Sequence, residues 1–276
     1  MKRKIYILVV ILFVAAFGYY YFSQAQSDKN NIELPQAQTY EDFKAGTGTT
    51  TTDKNTTTTP VKNTTTSPSQ NKPTTTSQDP VVKPAENLAA INLAVPFTSQ
   101  APTANWAQPF QDACEESSLI MVEHYYANKK MPDKLAVEKI ILDMVDWEVK
   151  TWGVHPELPV AKEMELALAM YNQKMEVVEN LTVEKIKDLL RQGRPVIVPA
   201  DGKKLDNPNF QNGGPVYHML VIKGFTGDKF ITNDPGTRLG ADFIYTQDNL
   251  MYAIADWDEA KYAAVGPKRG LVFTLR

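Results

Sequence analysis

The stretch Gln108-Pro109-Phe110-Gln111-Asp112-Ala113-Cys114-Glu115-Glu116-Ser117 leads into Leu119-Ile120-Met121-Val122-Glu123-His124-Tyr125-Tyr126, a run that reads as a largely buried helix. Asp112 is a good N-cap and Glu115 stands three residues on, the spacing of a capping box, so the helix is expected to begin between them. Cys114, the only cysteine in the chain, then falls at the second helical position. Unpaired backbone N–H groups and the positive dipole end favour an anion there. A thiol so placed can have its pKa lowered from about 8.5 towards neutrality, which makes it a usable nucleophile. Glu115 and Glu116, read as first-turn helix charges, oppose that shift. The helix end alone does not suffice, and a histidine partner is required.

Composition bounds the rest. The chain has 276 residues, a net charge of −3 and an apolar fraction of 43%, which leaves room for one sizeable folded domain. Its slight acidity, with no basic stripe, argues against nucleic acid as a partner. A single cysteine forms neither an internal disulfide nor a zinc cluster. No HExxH, Walker loop or strand–GxGxxG–helix occurs, so metal, nucleoside triphosphate and dinucleotide readings have no local support, and no cofactor is expected.

The chain divides into three parts. Met1-Lys2-Arg3-Lys4 precedes an unbroken apolar segment from Ile5 to Phe22. The basic cluster places the N-terminus on the cytoplasmic side. Residues 1–26 therefore read as a signal anchor, or as a cleaved signal peptide with small residues at Ser23 and Ala25; near-spanning length and the interfacial aromatics Tyr19 to Tyr21 favour the anchor. Either way the remainder lies outside the cytoplasm. Residues 27–86 are dominated by Thr, Pro, Asn, Lys, Gln and Ser and carry too few apolar side chains to offset the entropy of ordering, so they read as a disordered linker. The patch Tyr40-Glu41-Asp42-Phe43 has two readings, a locally sticky spot or simply part of that tail, and the second is preferred. From 87 to 276 the pattern is globular.

Within the globular part, strands are expected at Ile91–Phe97, around Glu176–Val178, at Pro195–Pro199, Tyr217–Ile222 and Lys229–Asn233, and finally at Leu271–Leu275. Helices are expected from Cys114 to about Ala127, Asp133 to Trp147, Pro159 to Gln173, Thr182 to Leu190 and Asp248 to Trp257. Helices first and strands later predict an α+β domain with an antiparallel sheet.

A cysteine nucleophile needs a base within hydrogen-bond reach, and the base needs an orienting group. Three histidines can be tested. His124 is ten residues along the same helix, about 15 Å away along its axis. His155, in Gly153-Val154-His155-Pro156, has no evident orienter nearby and reads as a surface or loop residue. His218 opens an apolar strand after the loop from Asn207 to Pro215, and Asp234 ends the next predicted strand, so a hairpin would set the two side by side. Asn233 is the alternative orienter if Asp234 only starts the Asp-Pro-Gly turn. His218 is the candidate base.

Asn105-Trp106, the glutamine-rich approach to Cys114-Glu115-Glu116, His218 and Asn233-Asp234-Pro235-Gly236 together resemble the C39-like branch of the papain-like cysteine peptidases. The resemblance spans about Ile91 to Leu275. It implies a papain-like fold in which an active-site helix packs on an antiparallel sheet. It also implies that Cys114 attacks a scissile carbonyl, that His218 takes and returns the proton, and that Asp234 holds the imidazole. The oxyanion would be held by the Cys114 backbone N–H and a glutamine amide. Gln108 has the papain-like spacing and Gln111 the shorter one of this branch; Gln111 is preferred and Gln108 retained. Transporter-linked members usually carry glycine after the nucleophile, where this chain has Glu115. Nothing in the sequence resembles their ATPase domains, so leader cleavage during export is not the expected task. The expected activity is hydrolysis of peptide or amide bonds in a peptide or protein substrate. Cell-wall amide cleavage or transpeptidation by the same triad, and peptide binding without catalysis, are the alternatives.

Overall fold

In the computed structural model, which describes residues 32–45, 89–155 and 157–274, the first elements among the described residues are strand β1 (Ala37–Gln38) and helix α1 (Tyr40–Lys44). Both lie inside the stretch read as linker, so the expected boundary at residue 86 fails for this piece. The reason is local chemistry. Thr39 Oγ1 accepts the Asp42 N–H while the Asp42 carboxylate accepts the Thr39 N–H, a reciprocal cap on a single turn. Tyr40 packs its ring against Tyr125 and Tyr126, with centroids 5.7 and 4.7 Å away. Phe43 lies over Gly193, where an added Cβ would come within 2.6 Å of the ring. β1 pairs in parallel with β2 (Ala90–Leu93). The rest of the expected linker, and the apolar segment Ile5–Phe22 read as an anchor, lie outside the described residues. Among the described residues no helix is long and apolar enough to cross a membrane.

A one-turn 3-10 helix at Phe110–Asp112 leads into α2 (Cys114–Tyr126), whose first eight residues past Cys114 are buried. Helix α3 (Lys134–Trp152) is capped by Asp133, which accepts the N–H groups of Leu135 and Ala136. It runs past the expected end at Trp147 until Gly153 turns left-handed at φ 82°. α4 (Val160–Tyr171) and β3 (Met175–Glu179) follow, then α5 (Val183–Arg191), capped by Thr182 through the Lys185 N–H as anticipated. Next come β4 (Val196–Ala200), β5 (His218–Thr226), β6 (Lys229–Asn233) and β7 (Phe243–Thr246). The chain ends in α6 (Gln247–Ala253), the short pair β8 (Trp257–Asp258) and β9 (Ala263–Ala264), and β10 (Arg269–Phe273). β7 is absent from the sequence expectation. It is four residues long and runs straight into a helix, so no turn residue marks its end.

The main sheet has the order β1-β2-β5-β4-β10-β3, with β6 and β7 continuing from β5. All its pairings are antiparallel except β1 with β2. β5 is the hub: β4 pairs along His218–Ile222, β2 takes over from Gly224 to Thr226, and β6 pairs from Val221 to Thr226. That branching needs the irregularity between Ile222 and Gly224, and it needs glycine, because a Cβ at position 224 would lie 2.3 Å from the Ile91 carbonyl oxygen. β5 is buried from His218 to Phe225, and α2 packs against it. The α+β expectation, an active-site helix on an antiparallel sheet, describes this arrangement.

Candidate active site

The start of α2, the start of β5, the Asn207–Pro215 loop and the turn after β6 enclose a cleft of about 580 Å³. Cys114, His218, Gln111, Gln100, Trp106 and Glu157 are among its walls.

The strand register explains how His218 and Asp234 meet. Val221 pairs with Asn233, so one step further Asp234 stands opposite Leu220, whose side chain shares a sheet face with His218. The result is a contact of 2.8 Å between His218 Nε2 and Asp234 Oδ1, with both residues buried. The carboxylate also accepts the Gly236 N–H on Oδ1, and the Asn207 amide and Tyr245 hydroxyl on Oδ2. Burial by itself would raise the Asp234 pKa. The charge of His218, with hydrogen bonds from His218, Tyr245 and Gly236, outweighs it and holds the carboxyl below its ordinary value. Asn233 faces elsewhere, donating to the Val95 and Pro96 carbonyls, so the alternative orienter does not touch the ring. Phe210 meets the imidazole edge-on at 5.3 Å, and a Cβ on Gly236 would stand 2.8 Å from His218 Cε1.

Cys114 opens α2, but not as the capping box predicts. The N-cap is Ala113, with no side-chain bond. Asp112 belongs to the preceding 3-10 turn, its N–H donates to the Pro109 carbonyl, and its carboxylate accepts from Gln108 Nε2. Its backbone therefore lacks the extended geometry that lets a side chain cap the helix. Glu115 is likewise no first-turn surface charge. It is buried, accepting the Leu158 N–H on Oε1 at 3.0 Å and the Cys114 thiol on Oε2 at 2.8 Å. Burial first, then the neighbouring Glu116, pushes its pKa up to about 8. The Cys114 thiol is raised too, by burial and by the charges of Glu115 and Glu157, against the expectation of a depressed value. No hydrogen bond joins Cys114 to His218 in this arrangement. The Cys114 N–H has no acceptor and remains available at the helix start.

The glutamines separate. Gln111 lines the cleft with an exposed side chain, whereas Gln108 is exposed, tied to Asp112 and not part of the wall. Gln100, which sequence reasoning passed over, is buried in the wall and donates its amide to the carbonyls of Phe110 and Gln111. It lies fourteen residues before the cysteine, outside the spacings considered, and only the fold of the intervening loop brings it back. His124 bonds the Ile120 carbonyl and Glu123. His155 is a second correction, since it is mostly buried and meets Glu116 at 2.8 Å.

A sequence profile described as the Peptidase_C39 like family matches residues 92–265. A search of functionally curated proteins found no match. Among solved structures, a protein described as a C39-like peptidase from Bacillus anthracis is 17% identical, over 68% of this chain and 98% of its own, with a TM-score of 0.45. A double-glycine-motif protease from an AMS/PCAT transporter, in complex with the leader peptide, is 19% identical over 58% and 82%, with a TM-score of 0.33. Those two likenesses carry no residue correspondence. The profile covers Cys114, His218, Asp234 and the strands that hold them, and by that match the chain belongs to the Peptidase_C39 like family.

Proposed function

We propose that this protein is a cysteine peptidase acting outside the cytoplasm, with Cys114 as nucleophile, His218 as general base and acid, and Asp234 as the group that orients the imidazole. The observation that carries this reading is the buried 2.8 Å His218–Asp234 pair opening into the same cleft as the sulfur at the start of α2. With Nε2 committed to Asp234, His218 keeps Nδ1 for the thiol. Catalysis begins when the thiol turns from Glu115 to that nitrogen and gives up its proton. The thiolate attacks the scissile carbonyl, and the oxyanion is met by the Cys114 N–H and a glutamine side-chain N–H. Collapse expels the amine with the proton from His218, and water then hydrolyses the acyl-enzyme.

Peptide binding without catalysis is the second reading, supported by the thiol's bond to Glu115 and its raised pKa. Labelling with iodoacetamide separates the two. An enzyme should label at Cys114 faster than a model thiol, and His218→Ala should slow it. Labelling no faster than the model thiol and indifferent to His218 leaves the binding module. Alanine at Gln100, Gln111 and Gln108 in turn, on a peptide substrate, identifies the oxyanion donor, whose loss should cost about 10²- to 10³-fold in kcat.

A further inference from the structure

Beside the Cys114 helix start, three side chains that do not line the cleft converge from separate elements: Glu116 in the first turn of α2, Glu148 near the end of α3, and His155 just beyond it. Their ligand-capable atoms lie within 4.8 Å of one another. His155 Nε2 is 2.8 Å from Glu116 Oε1 and 3.8 Å from Glu148 Oε2. Acidic residues in a group are commonplace; the state of these is not. Glu116 and Glu148 are 0% exposed, and no N–H or hydroxyl donor reaches either oxygen of Glu148 or Oε2 of Glu116; at those oxygens the two carboxyls meet only each other, a contact that needs a proton on one of them. Glu163, fully buried at the start of α4, has two undonated oxygens as well and feels the charges of Glu115, Glu116 and Glu148. Among the described residues no lysine or arginine pairs with Glu116, Glu148 or Glu163, and His155 is the one basic group paired with the first two. Buried carboxylates in that condition need a cation or shared protons.

We propose that Glu116, Glu148 and His155 bind one divalent transition-metal ion, of the class that takes imidazole and carboxylate ligands together, with Zn²⁺ the best fit. Bonds of about 2.0–2.1 Å to a tetrahedral ion separate its ligand atoms by about 3.3 Å. The two measured separations bracket that value, so small side-chain rotations complete the set. A fourth position remains for water or Glu163. Ca²⁺ fits poorly, because it takes six to eight oxygens and this site presents a nitrogen. The ion would tie the first turn of α2 to α3 and to the segment after it, two residues past Cys114. It would hold the nucleophile's helix without touching the reacting atoms. The site does not depend on the peptidase reading, since metal uptake is measured without substrate.

The test uses the purified full chain, stripped with EDTA and titrated by calorimetry with ZnCl₂ and separately with CaCl₂. One equivalent of Zn²⁺ should bind and Ca²⁺ should not. At a hundredfold excess over Kd, Zn²⁺ should raise Tm by roughly 5–10 °C. Glu148→Gln and His155→Asn should each weaken uptake at least about 100-fold, and Cys114→Ser should leave it intact. Co²⁺ in place of Zn²⁺ should give visible absorption bands in the wild type and not in those two ligand variants. The proposal fails if the wild type takes up no stoichiometric Zn²⁺, if uptake survives in both ligand variants, or if Cys114→Ser abolishes it. It fails also if metal-free Glu148→Gln is as stable as the wild type while Zn²⁺ stabilises neither, which is the signature of carboxyls held by shared protons alone.

Discussion

Asp234 has no contact with water and still carries a depressed pKa, because every face of its carboxylate meets a donor. Asp234→Asn keeps the shape and removes the charge that opposes the imidazolium. It is expected to lower peptide hydrolysis by roughly 10²- to 10⁴-fold, with kcat rather than KM carrying the loss. The sign of the pH effect follows from the depressed value. An unfolded aspartate takes up its proton near pH 3.9, while the folded one stays ionised to lower pH. Stability from this group is therefore present above about pH 4 and is lost as pH falls through the folded pKa. Urea midpoints of the wild type and Asp234→Asn should converge below pH 4; midpoints that stay parallel would show that the carboxylate stabilises nothing. Gly236 serves the same pair by leaving room. Gly236→Ala should displace the ring that its Cβ would overlap, costing at least 10-fold in Cys114 labelling rate and about 1–3 kcal/mol of stability. At this scale the histidine and aspartate were legible, because a period-two strand and an Asp-Pro-Gly turn fix both position and face. Glu115, Glu116 and His155 were not, since two acids in a first helical turn look like solvated charges until the neighbouring elements cover them.

Among the elements, α2 is unusual in having polar residues sealed inside it. Ser117 and Ser118 are fully buried, and neither hydroxyl has a hydrogen-bond partner. A buried hydroxyl without a partner is a cost, so Ser118→Ala should leave thermal stability unchanged or raise it by up to about 1 kcal/mol. A loss above that would reveal a partner, such as a bound water. The helix itself was predictable from its apolar run, but its start was not. The capping box assumed that Asp112 sat in extended backbone, and the 3-10 turn before it removed that geometry. The β5–β6 hairpin was legible for the opposite reason, because two apolar runs flank a short polar turn. β7 escaped notice for want of any such punctuation.

For the molecule as a whole, the piece at 36–45 changes how the chain is put together, since it belongs to the same compact unit as the described residues from 89 onward. Phe43 is half-buried against Gly193, so Phe43→Ala should cost about 1–2 kcal/mol, below the 3–5 typical of a fully enclosed ring, with the loss read as a lower Tm. The Tyr40–Phe43 patch stands out in the sequence but is outweighed by the threonine- and proline-rich tail around it, because one tyrosine and one phenylalanine are too few to predict an ordered piece against that background. β1 and β2 are neighbours in the sheet yet lie on either side of residues 46–88 in the sequence. A protease that nicks the interval divides the polypeptide without necessarily parting it. The severed N-terminal fragment should co-elute with the remainder on gel filtration, held by strand pairing and its aromatic side chains. In the Phe43→Ala protein the same nick should set it loose.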